Sequence, residues 1–106
     1  MEKSLDITLL KEKCSAGQIN WSTHAHARMQ ERNINPSDVI SCINNGVIIE
    51  QYPAAYPHPA CLVLGKRKNN TCIHAVVGYG DDFIWIITAY EPDDNEWMDE
   101  YSVRKG

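Results

Sequence analysis

The sequence predicts an α+β domain in which N-terminal helices pack on one face of a four-stranded, mainly antiparallel β-meander. Before Gly46 the apolar residues recur at helical spacing between capping residues; after it they gather in β-branched and aromatic runs separated by turn residues. The segments "KRKNN" and "YGDD" are short enough to close hairpins, which joins the last three runs into a meander. With 106 residues and no repeat or linker, the chain reads as one domain over 1–106. That length buries enough surface to fold without a metal or a disulfide.

The first helix is predicted over Leu5–Ala16, with Ser4 as its N-cap and Gly17 just past its end. Ile7, Leu10 and Cys14 form its apolar stripe. A short extended piece, Ile19–Trp21, follows. In "WSTHAHARMQER" either Ser22 or Thr23 can cap a second helix running to about Arg32, and Asn33 tolerates the left-handed geometry of a helix stop. "NINPSDVISCINNG" encodes the third: Asn35 is a good N-cap, Pro36 suits the first helical position and Asp38 favours the positive end of the dipole. Val39, Ile40 and Ile43 supply its apolar face, and Gly46 ends it. The strands are "VIIEQY", "ACLVLGKR", "TCIHAVVGYG" and "FIWIITAY", and the last two are apolar on both faces, which suits a central position. Beyond Pro92 the chain is polar, with Trp97 and Tyr101 as anchors back onto the body.

Composition narrows the function classes. No run approaches the roughly 18 apolar residues of a membrane span, and charge interrupts the apolar residues of "MEKSLDITLLKEK", so a cytoplasmic protein is expected. The four cysteines stand singly, without the paired spacing of a zinc site, and read as reduced core thiols. The net charge of −4 weighs against a nucleic-acid partner. Yet residues 81–100 carry eight acidic residues and no Lys or Arg, so the rest of the chain sums to +4. A mildly basic body with one acidic corner can still meet a phosphate backbone.

Three places carry candidate chemistry. On the second helix Ala25 and Met29 share the core stripe, while His24, Arg28 and Arg32 step by four along a neighbouring one. That row is open to two readings, a solvated face or a site. His24 and His26 fall about 200° apart on a helical wheel, so they cannot share one ion unless the helix starts after them, and no metal or cofactor is expected. His74, in the middle of an apolar strand, must have its ring nitrogens satisfied. A turn centred near Gly80–Asp81 sets His74 opposite Thr88, with Tyr90 diagonal on the same face. Arg104 and Lys105 lie on a tail that Trp97 and Tyr101 can bring to the sheet, whereas Lys66, Arg67 and Lys68 in a hairpin turn read as solubilising charges. This inventory suits metal-independent RNA cleavage, in which a base takes the 2′-hydroxyl proton, an acid protonates the leaving oxygen and cations surround the phosphorane. Histidine and tyrosine move protons and arginine holds charge.

The order of "WSTHAHARM", "ERNI", "SDVISCINNGVIIEQYP", "YPHPACLVLG", "IHAVVGY", "FIWIITAYEPD" and a closing "W…Y…RK" resembles the bacterial domain-of-unknown-function family 4258 over nearly the whole chain. The motif W-x-x-H-A-x-x-R-M falls on Trp21, His24, Ala25, Arg28 and Met29. Many members carry a serine where this chain has Pro59-Ala60. Helices followed by a β-meander also resemble, more loosely, the RelE and BrnT toxins grouped with barnase-like ribonucleases. The resemblance implies a type II toxin, an mRNA interferase-like endoribonuclease neutralised by a zinc-finger antitoxin of the MqsA (YgiT) kind. On that reading His24, His74 and Tyr90 are the catalytic candidates, and Arg28, Arg32, Arg104 and Lys105 bind RNA phosphate. The alternative is a non-catalytic protein-binding module on the same fold, docking through its acidic 91–100 stretch.

Overall fold

The computed structural model describes residues 5–67, 69–93, 95, 97–98 and 101–104. Helix α1 spans Ile7–Ser15 and starts later than the apolar pattern suggests, because Asp6 takes the N-cap and its carboxylate accepts from the Thr8 N–H at 2.9 Å. Ser4, the expected cap, lies outside the described residues. Gly17, at φ 72°, turns the chain out of the helix into β1, Ile19–Trp21. Ser22 caps α2, Thr23–Glu31, accepting from the Ala25 N–H at 3.0 Å. Asn33, at φ 60°, provides the left-handed stop. Helix α3, Pro36–Asn45, begins at Asn35, whose N–H donates to Asp38 Oδ2 at 2.9 Å.

Gly46 ends α3 as expected, and it does so by close packing rather than by left-handed geometry. Its backbone is extended, at φ −98° and ψ 178°, and is not left-handed. A Cβ there would fall on the Cys42 carbonyl oxygen and within 2.6 Å of the Leu64 carbonyl oxygen, and one on Gly65 would likewise meet the Cys42 backbone. The two glycines let α3 press directly on the sheet.

The strands are β2 (Val47–Tyr52), β3 (Ala60–Lys66), β4 (Cys72–Tyr79), β5 (Ile84–Tyr90) and a short hairpin of β6 (Trp97–Met98) with β7 (Val103–Arg104). Strands β2 to β5 form the expected antiparallel meander, but the sheet is five-stranded and mixed, in the order β1-β5-β4-β3-β2. The added member is β1, which runs parallel to β5 with Asn20 opposite Trp85. The helices pack on one face. Leu10, Met29, Val39 and Ile43 meet Val63, Ile73, Val77 and Ile86 from the sheet, all essentially buried. Among the described residues no helix is long and apolar enough to cross a membrane.

The opposite face of the sheet differs in register from the sequence expectation. Tyr79 pairs with Ile84, and a bulge at Ile87 adds one residue to β5, so His74 faces Tyr90 and Val76 faces Thr88. His74 and Thr88 are therefore not partners, although His74, Thr88 and Tyr90 do share a face. The β6–β7 hairpin closes over this end of it, with Trp97 only 3 % exposed.

Arg67 is not a solubilising charge. Its guanidinium donates to Asp38 Oδ2 at 2.9 Å, to Glu91 Oε2 at 2.9 Å and to the Asn33 carbonyl at 2.6 Å. It thus ties the β3–β4 turn to the start of α3 and the end of β5, and the Asp38 hydrogen bond pushes its pKa up. Replacing Arg67 with alanine takes the cation from the largely buried Asp38 carboxylate, which keeps its bond from the Asn35 N–H, and is expected to cost about 2 kcal/mol, read from a urea unfolding midpoint. The Glu91 arm is half-exposed and contributes little to that figure.

Cys14, Cys42, Cys61 and Cys72 are free thiols. Cys42 and Cys61 are fully buried, as expected, while Cys14 and Cys72 are half-buried. Burial pushes the Cys42 and Cys61 thiols up to about 12 from an ordinary 9.0. An acid whose folded pKa is raised stays protonated in the fold while the unfolded chain ionises. Stability is therefore flat below about pH 9 and falls as pH rises from there toward 12. Alkylation of the folded protein at about pH 8 should reach no more than Cys14 and Cys72, with all four labelled after denaturation.

Candidate functional site

Both ends of α2 are stitched to β5. At the start Ser22 Oγ donates to the Ile86 carbonyl at 3.4 Å; at the end Arg32 donates to the Ala89 carbonyl at 2.9 Å and to Thr88 Oγ1 at 3.3 Å. Ala25 and Met29 take the buried stripe, at 0 % and 1 % exposure, which leaves His24, Arg28 and Arg32 on the surface along the edge of β5. Arg28 pairs with Glu31 at 3.2 Å in solvent. His26 lines a separate hollow with Gln30 and Asn33.

His24 opens onto a cleft of about 400 Å³ whose other walls include Tyr56, Pro57, His58, Trp85 and Ile87. Trp85 projects from the first half of β5, where β1 holds the strand, and the Tyr56–His58 loop folds across it. The His58 ring stacks over Trp85 with centroids 6.1 Å apart and planes 19° from parallel. It also lies against Gly80, where a Cβ would sit 3.4–3.5 Å from its ring atoms. The cleft thus joins an aromatic floor, an apolar rim and imidazoles from two different elements. Sequence reasoning missed His58, Tyr56 and Trp85. The only available signal was "YPHP", an aromatic and a histidine interleaved with prolines in a loop, the kind of segment that carries function on a rigid scaffold.

His74 occupies another environment. It is 0 % exposed, its Nε2 lies 2.8 Å from the Tyr101 carbonyl and its Nδ1 lies 3.3 Å from the Tyr90 hydroxyl. A carbonyl only accepts, so Nε2 carries a proton; in the neutral ring Nδ1 then accepts from Tyr90. The Trp97 ring meets the imidazole edge-on, with centroids 4.4 Å apart. From Trp85 to Tyr90 the strand advances on the order of 15 Å. The structure therefore does not bring His24 to His74 and Tyr90; Arg32, reaching Thr88, lies between the two places. The Arg104 backbone belongs to β7, opposite Trp97, and Lys105 lies outside the described residues. Among the described residues no three His, Cys, Asp or Glu side chains gather to hold a metal ion.

A model of the domain of unknown function DUF4258 matches residues 21–91, the greater part of the chain. The chain belongs to the DUF4258 family. The DUF4258 match takes in α2, α3, strands β2 to β5 and every residue named for the cleft, whereas α1 and the hairpin that seals His74 lie outside it. No curated protein matches the chain.

Proposed function

We propose that this DUF4258 protein is an RNA endonuclease that cuts by transesterification without a metal ion. In this reading the ribose 2′-oxygen attacks the adjacent phosphorus, the P–O5′ bond breaks, and the products are a 2′,3′-cyclic phosphate and a free 5′-hydroxyl. One of His24 and His58 takes the 2′-hydroxyl proton and the other gives a proton to the departing 5′-oxygen. Arg28 and Arg32, next along the same edge, hold neighbouring phosphates. Tyr56, 95 % exposed, and Trp85 offer ring faces to an unstacked base.

The observation that carries the reading is that His24 and His58 line one aromatic cleft of nucleobase scale. His74 and Tyr90 take a positioning part, holding the end of β5 from which Thr88 meets Arg32. In the cell the activity would belong to a toxin held silent by a zinc-finger antitoxin-like partner. The test is incubation of purified protein with single-stranded RNA in EDTA. Cleavage that leaves cyclic-phosphate ends and is lost in the His24→Ala and His58→Ala variants supports the reading; cleavage that both variants retain overturns it. The second reading, a non-catalytic protein-binding module, draws on the same exposed Tyr56 together with Ile87, 42 % exposed at the rim. A tight protein complex in the absence of any RNA cleavage would select it.

A further inference from the structure

His58 is a wall shared by two hollows. On its far side from Trp85 lies a second cleft of about 400 Å³, lined by Leu5, Leu9, Pro59, Tyr79 and Asp81 with Gly80 at its base. The imidazole lies close against Gly80, where a Cβ would stand 3.4 Å from the ring, in ordinary van der Waals contact. The second cleft has its own chemistry. Lys13 Nζ sits 5.7 Å from the centroid of the Tyr79 ring and donates to the Asp81 carbonyl at 2.6 Å. That fixes the Asp81 backbone, while its carboxylate makes no hydrogen bond to the described residues. An aromatic ring and a carboxylate acceptor thus line an opening the size of its neighbour, with the Lys13 cation held against both residues outside the lining.

We infer that the two hollows are paired base subsites, so that the protein recognises a dinucleotide step of single-stranded RNA whose linking phosphate crosses His58. The inference rests on the nuclease reading for the identity of its ligand. One base lies against Trp85 and Tyr56, and the other lies against Tyr79. A carboxylate accepts readily from an exocyclic amine, whereas the one ring N–H of uracil is flanked by two carbonyl oxygens that repel it. Asp81 therefore favours adenine, cytosine or guanine over uracil in the second hollow. Lys13 supplies the cation for the phosphate beyond.

Binding of uncleavable 2′-deoxy nucleotides to the full chain tests this apart from catalysis. A dinucleotide should bind at least about tenfold tighter than either mononucleotide, a difference of 1.4 kcal/mol. Replacing uracil by cytosine at one position should strengthen binding about fivefold or more, and Asp81→Ala should remove that preference while Asp82→Ala keeps it. Equal affinity for mono- and dinucleotides overturns the inference, as does a base preference that survives Asp81→Ala. Asp81-dependent dinucleotide binding without RNA cleavage would uphold the paired subsites and refute the nuclease reading. Cleavage whose products show no Asp81-dependent base preference would do the reverse.

Discussion

Replacing His58 with alanine is expected to lower the rate of RNA cleavage by about 10²- to 10⁴-fold, the usual contribution of a positioned acid or base. The fold should be unaffected, because His58 belongs to a loop and its ring is only partly buried over Trp85 and Gly80. His24→Ala should act on the same scale, since His24 is exposed on α2 and contributes nothing to its buried stripe. If the two imidazoles serve one displacement, the double variant should be little worse than either single one. Multiplying losses would mean that they serve separate steps. Steady-state cleavage of one defined oligonucleotide, with thermal unfolding measured on each variant, checks both statements. A fall in kcat at constant KM is the signature of lost proton transfer, whereas a rise in KM alone would reassign His58 to substrate binding.

His74→Ala should do the opposite. The loss of a fully buried ring opens a cavity beneath Trp97 and leaves the Tyr101 carbonyl without the donor it has from Nε2. Together these are expected to cost about 2–4 kcal/mol, a fall in Tm on the order of 10–20 °C for a chain of this length. Tryptophan emission should shift to the red as the hairpin loosens from the sheet. His74→Gln keeps an N–H able to reach the carbonyl and should lose distinctly less. At a temperature where the alanine variant is still folded, its cleavage rate should stay within a few-fold of the parent. A rate loss as deep as that of His58→Ala, with stability intact, would place His74 in the chemistry after all.

The contrast between these histidines shows where the sequence was informative. Local chemistry was readable: Asn35 caps the third helix and Ser22, one of two candidates, the second, Asn33 adopts its left-handed stop, and Ala25 and Met29 define the buried stripe that leaves His24, Arg28 and Arg32 outside. Partners distant in the chain were not readable. Ile19–Trp21 looks extended, but nothing in three residues says that they will lie parallel to β5. The bulge at Ile87 has no signal of its own, and together with a turn register that pairs Tyr79 with Ile84 it moved His74 from Thr88 to Tyr90. Arg67 looked like one of three turn cations because Asp38 and Glu91, its partners, are far from it in sequence. His58 was passed over for a related reason: a loop residue has no periodicity to say what it faces, and its meaning comes from Trp85 across the sheet.

On the nuclease reading, the parallel docking of β1 on β5 also sets when activity can appear. His24 follows β1 directly, and Trp85 sits in the strand that β1 must find, at the far end of the sheet in sequence. Chains emerge from the ribosome N-terminus first, at roughly 5–20 residues per second, so the histidine–arginine row on α2 is made well before its cleft can exist. Closing so long a loop is a slow, late event in folding. A nascent or truncated chain that lacks β5 carries the row without the floor, and is expected to cleave no RNA. On the nuclease reading activity would be tied to completion of the sheet, leaving an interval after synthesis in which the proposed neutralising partner could bind.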